Sequence, residues 1–180
     1  MDACYTRGMR DFIILAGAPG SGKTTVGQLL QTRLRSPYID FGDLRTFHLD
    51  PDWSNASDNE EGMSFDNLIF ILKNYVKHGY HNVIVTDLRD NRIEQLPIVL
   101  AGYRFVIMTL VVSLDGELKK RVLAEERESG FRDVERALKW NDHVRSRTLC
   151  RGEQRIDNTH NDPRKTVEHI LAYVEESAAT

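Results

Sequence analysis

Three glycines, a lysine and two threonines fall within the ten residues AGAPGSGKTT, Ala16 to Thr25. Residues of these types at this spacing are suited to holding phosphate. Gly17, Ala18, Pro19, Gly20, Ser21, Gly22, Lys23 and Thr24 satisfy the pattern G-x-x-x-x-G-K-[ST]. Glycines let the main chain curl until several N–H groups point inward at an anion, and a helix opening at Gly22 or Lys23 turns its positive end toward the same charge. Lys23 would bring a mobile cation to the β- and γ-phosphates, and the Thr24 hydroxyl would serve as a Mg²⁺ ligand, with Thr25 beside it. The implied ligand is a nucleoside triphosphate, ATP, with Mg²⁺. A glycine-rich turn ahead of a helix is the plainer explanation. It accounts less well for a motif that follows the apolar run FIILA and opens an amphipathic segment.

Two further stretches carry carboxylates beside arginines: YIDFGDLR, Tyr38 to Arg45, and NVIVTDLRD, Asn82 to Asp90. In each, an acidic residue closes or follows a strand-length run, where parallel sheets gather their ligands. Asp43 and Asp87 are the candidates, with Arg45 and Arg89 placed to meet an anion. Helix capping also fits them: Asp43 for a short helix over Leu44 to Leu49, and Asp87 or Asp90 for the helix that follows. A third stretch, Leu118 to Trp140, reads as two arginine-rich helices broken at Ser129 and Gly130. Solvated helices laced by i,i+4 ion pairs have the same look.

The elements that must position these residues follow from periodicity. Strand-length apolar runs at Phe12 to Ala16, Tyr38 to Asp40, Asn82 to Thr86, Arg104 to Val112 and Gln154 to Asp157 alternate with amphipathic segments, the mark of parallel strands joined by crossover helices. Lys23 to Arg35 places Val26, Leu29, Leu30 and Leu34 on one stripe. Ser64 to His78 does the same with Phe65, Leu68, Ile69, Leu72, Tyr75 and Val76. Ser64 is the expected N-cap of that second helix, with Met63 and Leu68 as a hydrophobic staple and Gly79 just beyond its end. A last helix starts at Pro163 behind an Asp162 cap. Asp50 to Met63 is acidic and without period. It reads as a long surface loop, within a substrate-side segment of about residues 46–63.

Composition limits the rest. The 180 residues, 41% apolar and 28% charged, fit one globular domain spanning the chain. A net charge of −3 gives no basic field for nucleic acid. Two isolated cysteines, Cys4 and Cys150, indicate neither a disulfide framework nor zinc, and no apolar stretch reaches the length of a bilayer span. These features predict a cytoplasmic protein with no nucleic-acid or membrane partner.

On these motifs the chain resembles the small P-loop kinases, the group that includes adenylate kinase, gluconate kinase, shikimate kinase and chloramphenicol phosphotransferase. The resemblance implies an α/β, three-layer P-loop NTPase fold with a five-stranded parallel sheet and a helical lid over about residues 118–140. It assigns Asp43 to the carboxylate that deprotonates or orients the acceptor, Arg45 and Arg89 to acceptor binding, and Asp87 to the Walker B position that holds Mg²⁺ with Thr24. The lid arginines become Arg121, Arg127 and Arg132, with Arg127 the catalytic candidate. Asn158, in RIDNT, joins the loop against adenine, although a turn-forming Asp-Asn pair also explains it. Two departures separate the chain from nucleoside monophosphate kinases. The arginine after Asp43 comes one residue early, and DLRD stands where D-G-F-P-R is usual, with Leu88 in place of glycine. The expected activity is therefore ATP-dependent phosphoryl transfer to a small-molecule hydroxyl, ahead of a nucleoside or nucleoside monophosphate acceptor. A non-catalytic ATP sensor is the third reading. A GTPase is excluded by the lack of N-K-x-D, and a mechanical ATPase by the short length.

Overall fold

The computed structural model describes residues 9–45, 57–124 and 130–176. Its centre is β1, Phe12–Ala16, whose five side chains are at most 1% exposed. A strand buried on both faces needs an unbroken apolar run, and FIILA supplies it. Parallel neighbours flank β1: β3, Val83–Thr86, on one side and β4, Phe105–Val111, on the other. Outside them lie β2, Tyr38–Asp40, and β5, Glu153–Asp157, giving the order β2-β3-β1-β4-β5 with every pairing parallel. The five strands lie where the apolar runs predict, with ends moved by a residue or so.

Helices cover both faces. Phe12, Ile14 and Ala16 pack toward α2, Asp58–Lys77, and α3, Asp90–Val99, through Phe65, Leu68, Leu72, Ile93 and Leu96. Ile13 and Leu15 face the opposite layer, α1, Lys23–Leu34, and α6, Pro163–Glu176, through Val26, Leu30, Val167 and Ile170. Each fully buried aliphatic side chain contributes roughly 1.5–3 kcal/mol. The fold is thus the expected three-layer α/β arrangement. A third cluster, Val112, Leu118, Val122 and Ala137, joins α4, Asp115–Leu123, to α5, Val134–Ser146.

The start of α2 corrects the sequence reading. The helix begins at Asp58, and its N-cap is Ser57, whose hydroxyl accepts from the Glu60 N–H at 3.1 Å. Ser64 lies inside the helix and donates to the Leu44 carbonyl at 3.0 Å, while Met63 is 38% exposed and forms no staple. The acidic first turn conceals the helix because Glu60 and Glu61 hold buried positions where periodicity looks for apolar residues. Glu61 makes a multidentate pair with Arg92 of α3, and the Arg92 guanidinium stacks over Phe65. Residues 58–63 of the expected loop are therefore helical, and 46–56 lie outside the described residues.

The two lid helices are present but wider apart in sequence than a break at Ser129 and Gly130, since α4 ends at Leu123 and α5 starts at Val134. Asp162 caps α6 as expected, its carboxylate accepting from the Arg164 N–H at 2.8 Å. Among the described residues, no helix is long and apolar enough to cross a membrane.

Candidate active site

Because all five strands run the same way, their carboxyl ends share one edge. There the connections leaving β1, β2 and β3 meet a cleft of about 1010 Å³. The strand order switches direction at β1, the place where open α/β sheets leave a crevice for ligand.

The loop after β1 forms the cleft floor. Gly17 has a φ of +132°, and a Cβ added there would stand 2.2 Å from the Leu110 carbonyl oxygen, so no other residue fits. The Lys23 ammonium folds back inside the curl, donating to the carbonyls of Gly17 at 2.9 Å and Ala18 at 3.2 Å. Ser21 is fully buried, and its Oγ has no hydrogen-bond partner among the described residues. A lysine cation folded onto its own loop's carbonyls and a buried hydroxyl without a partner among the described residues are groups a polyphosphate would engage, so the loop fits the triphosphate its sequence implies. Pro19, Gly20, Gly22, Lys23, Thr24 and Thr25 all line the cleft.

β2 delivers the acidic side. It leads into a 3₁₀ turn, Phe41–Arg45, that carries Asp43 and Arg45, both on the cleft wall. Asp43 thus belongs to this short turn, whose anchors are buried Phe41 and the Leu44 carbonyl bonded to Ser64. Asp40, closing β2, accepts from the Gly42 N–H at 2.9 Å and from the Thr86 hydroxyl at 3.1 Å. Past β3 comes Asp87, with a left-handed φ of +66° that aspartate tolerates better than most residues. The Asp40 and Asp87 carboxylates flank Gly42, at 3.1 and 3.7 Å from the point where a Cβ would stand. Crowding by surrounding protein raises the Asp87 pKa; Lys23 draws it back, Asp40 pushes it up further, and Arg45 and Arg89 lower it. Raised by burial and opened to the cleft, this carboxylate would be favoured in its charged form by a bound cation. Thr24 and Asp87, with Asp40 beside them, are the groups that could hold Mg²⁺.

Arg89, the residue before α3, lies on the same wall. The lid side adds residues the sequence reading did not select: Phe131, Arg136 and Trp140. Arg136 and Trp140 occupy one face of α5, and the Trp140 indole N–H donates to Asp90 at 3.2 Å, tying α5 to the loop that bears Asp87 and Arg89. An i,i+4 pair of an arginine and a tryptophan was the available signal, and it is common on solvated helices.

The remaining candidates fare differently. Arg121 binds Glu117 at 2.8 Å and donates to the carbonyls of Asn158 at 3.0 Å and Thr159 at 2.7 Å, fastening α4 to the loop after β5. Arg132 is exposed and donates to the Phe131 carbonyl, and Arg127 lies outside the described residues. Asn158 lines the cleft, but its amide is engaged by protein: it donates to the Ser21 carbonyl at 2.8 Å and accepts from Thr166. The side chain braces the phosphate loop against α6.

Comparison with known proteins matches this arrangement. A model of the AAA domain family matches residues 13–141. No curated protein sequence matches the chain. Among solved structures, a gluconokinase from Sinorhizobium meliloti 1021 is 16% identical with a TM-score of 0.67, covering 93% of each chain. A shikimate kinase from Aquifex aeolicus vf5 is 16% identical with a TM-score of 0.61, over 93% of this chain and 98% of that one. The YorR protein from Bacillus subtilis, in complex with phosphorylated GDP, is 17% identical with a TM-score of 0.62, over 94% and 98%.

Proposed function

Since the chain belongs to the AAA domain family and shares its fold with small kinases, we propose that it is a phosphotransferase moving the γ-phosphoryl group of ATP to the hydroxyl of a small anionic molecule. One observation carries this reading. A single cleft is lined both by the phosphate loop, through Lys23 and Thr24, and by Asp43, Arg45, Asp87 and Arg89. A bare ATP receptor needs the loop, whereas carboxylates and arginines lining the same cleft suit a second reactant.

The chemistry is in-line displacement. The acceptor oxygen bonds to the γ-phosphorus as the bond to the β-phosphate oxygen breaks, and ADP leaves. Asp43 takes the hydroxyl proton or orients the hydroxyl. Lys23 and the loop amides hold the phosphate charge, while Arg45 and Arg89 fix the anionic part of the acceptor. Mg²⁺, held by Thr24 and Asp87, would neutralise charge on the phosphate oxygens. The domain works on small molecules, and its isolated cysteines suit the reducing cytoplasm.

A nucleoside or nucleoside monophosphate acceptor is the second reading, favoured by the aromatic rings of Phe131 and Trp140 beside Arg136 on the cleft wall. Incubation with Mg-ATP and a panel of sugar, ring-acid and nucleotide acceptors tests both. Acceptor-dependent ADP release is the expected result, and Asp43→Asn should lower turnover about 10²- to 10⁴-fold while changing ATP affinity less than about twofold. Tight ATP binding with no release by any acceptor would leave a sensor.

A further inference from the structure

The Ser21–Gly22 peptide lies where the phosphate loop turns into α1. Rotating a peptide plane changes the ψ of the residue before it and the φ of the residue after it. The residue after it is Gly22, at φ +101°, and glycine takes φ of either sign at little cost. The plane can therefore flip cheaply on its glycine side. A trans peptide points its C=O and N–H in opposite directions, so the flip that withdraws the Gly22 N–H from an anion would present the Ser21 carbonyl to it instead.

A residue from the far end of the chain closes this freedom. Asn158 is 3% exposed and donates its Nδ2 to the Ser21 carbonyl at 2.8 Å. The carbonyl can only accept, so the amide nitrogen must face it and Oδ1 must face the other way. There Oδ1 accepts from the hydroxyl of Thr166, a fully buried residue of α6. The main chain of Asn158 is held as firmly: its N–H donates to the Val111 carbonyl of β4 at 2.8 Å, and its carbonyl accepts from Arg121 of α4 at 3.0 Å. A Cβ on Gly22 would stand 2.8 Å from Asn158 Nδ2, so the glycine that makes the plane free to turn also admits the group that stops it. With the Ser21 carbonyl held on Asn158, the Gly22 N–H leaves the other side of the plane, at the amino end of α1, whose first residues line the cleft.

We propose that Asn158 is a positioning residue for the phosphates: its carboxamide, oriented by Thr166, locks the Ser21–Gly22 peptide with the Gly22 N–H turned to the triphosphate. The inference rests on the reading that this loop holds the phosphates of ATP. It differs from a contact with adenine, because the side chain acts on the anion through the main chain and not on the base.

The test needs no turnover. Affinity is measured by calorimetry, with Mg²⁺, for ATP and for inorganic tripolyphosphate, which has no base. Asn158→Ala should weaken both by the same factor, about 10- to 100-fold, the worth of a hydrogen bond to a charged group. Thr166→Val leaves the amide free to turn over and should weaken both about 3- to 10-fold, Thr166→Ser should stay within about twofold of the parent, and Asn158→Ala/Thr166→Val should bind no more weakly than Asn158→Ala. The Gly22 amide proton should move downfield when tripolyphosphate is added to the parent, and much less in Thr166→Val at saturation. Should Asn158→Ala fail to fold, the Thr166 pair and this resonance decide. Loss of ATP affinity with tripolyphosphate binding unchanged would make Asn158 a base contact and overturn the lock. Weaker binding of both with the full Gly22 shift would mean general loosening and overturn it too. A parent protein that binds neither ATP nor tripolyphosphate overturns the functional reading itself.

Discussion

Gly27 tests how closely single residues are matched in this protein. Alanine at an interior helix glycine ordinarily stabilises by about 0.5–1 kcal/mol. Here the new methyl would meet the Tyr38 ring at 2.5 Å, and the ring is confined between α1 and Thr86. Overpacking of this kind costs about 1–3 kcal/mol. Gly27→Ala should therefore lower the melting temperature, and in a Tyr38→Ala background, where the ring is gone, the same change should raise it. Thermal unfolding of the four proteins in the cycle checks the sign reversal. The phosphate loop was legible in the sequence because its residues are contiguous and each answers to one anion. The packing of Tyr38 was not, because it depends on Gly27 in another element and on Thr86, 48 residues later. Nothing within YIDFGDLR distinguishes a tyrosine that reaches under a helix from one that begins a strand.

Between elements, buried charge does work usually left to apolar side chains. At the end of α5 Arg147 pairs with Glu153 of β5 at 2.6 Å, with side-chain exposures of 8% and 0%, and Arg147 also lies 3.7 Å from Asp90. Asp90 in turn receives the Trp140 indole. The chain β5–α5–α3 thus holds the cleft wall that carries Arg136 and Trp140. Burial raises the Glu153 pKa, but hydrogen bonds from Arg147, Thr109 and the Cys150 N–H outweigh it, and the net shift is below the ordinary 4.5. A lowered carboxylate contributes stability above its unfolded pKa and loses it as pH falls through the folded value. Glu153→Ala strips Arg147 of its nearest carboxylate and should cost about 3–5 kcal/mol at neutral pH. The deficit should shrink as pH drops below 4.5, read as melting temperature against pH for both proteins. The same use of charge explains which elements were legible. Apolar strands such as FIILA and FVIMTLV identify themselves. The first turn of α2 does not, since Glu60 and Glu61 are buried in positions that periodicity assigns to a loop.

Across the whole molecule, the cleft draws together segments that only the sheet topology makes neighbours. Lys23 follows β1, Asp43 follows β2, Asp87 follows β3, and Trp140 arrives on α5. The parallel strands and their order carry each to one edge, so the expectation that Asp43, Arg45, Asp87 and Arg89 line one site could be formed from strand ends alone. The lid-side residues could not, because which face of α5 turns inward is decided by packing of Ala137 and Leu138 against α4. Asn158 closes the assembly by joining the loop after β5 to Ser21, 137 residues away. A molecule braced in this way should gain stability globally when the loop is filled. At a hundred times the dissociation constant, ATP with Mg²⁺ should add about 2.7 kcal/mol, or roughly 5–11 °C in melting temperature. In the free protein the Lys23 ammonium bonds the Gly17 and Ala18 carbonyls of its own loop, and the apolar core is built without it. Lys23→Ala should accordingly melt within a few degrees of the parent without ligand, yet show almost no shift at the same ATP concentration. A variant that kept the full shift would mean the phosphates are held by some other part of the chain.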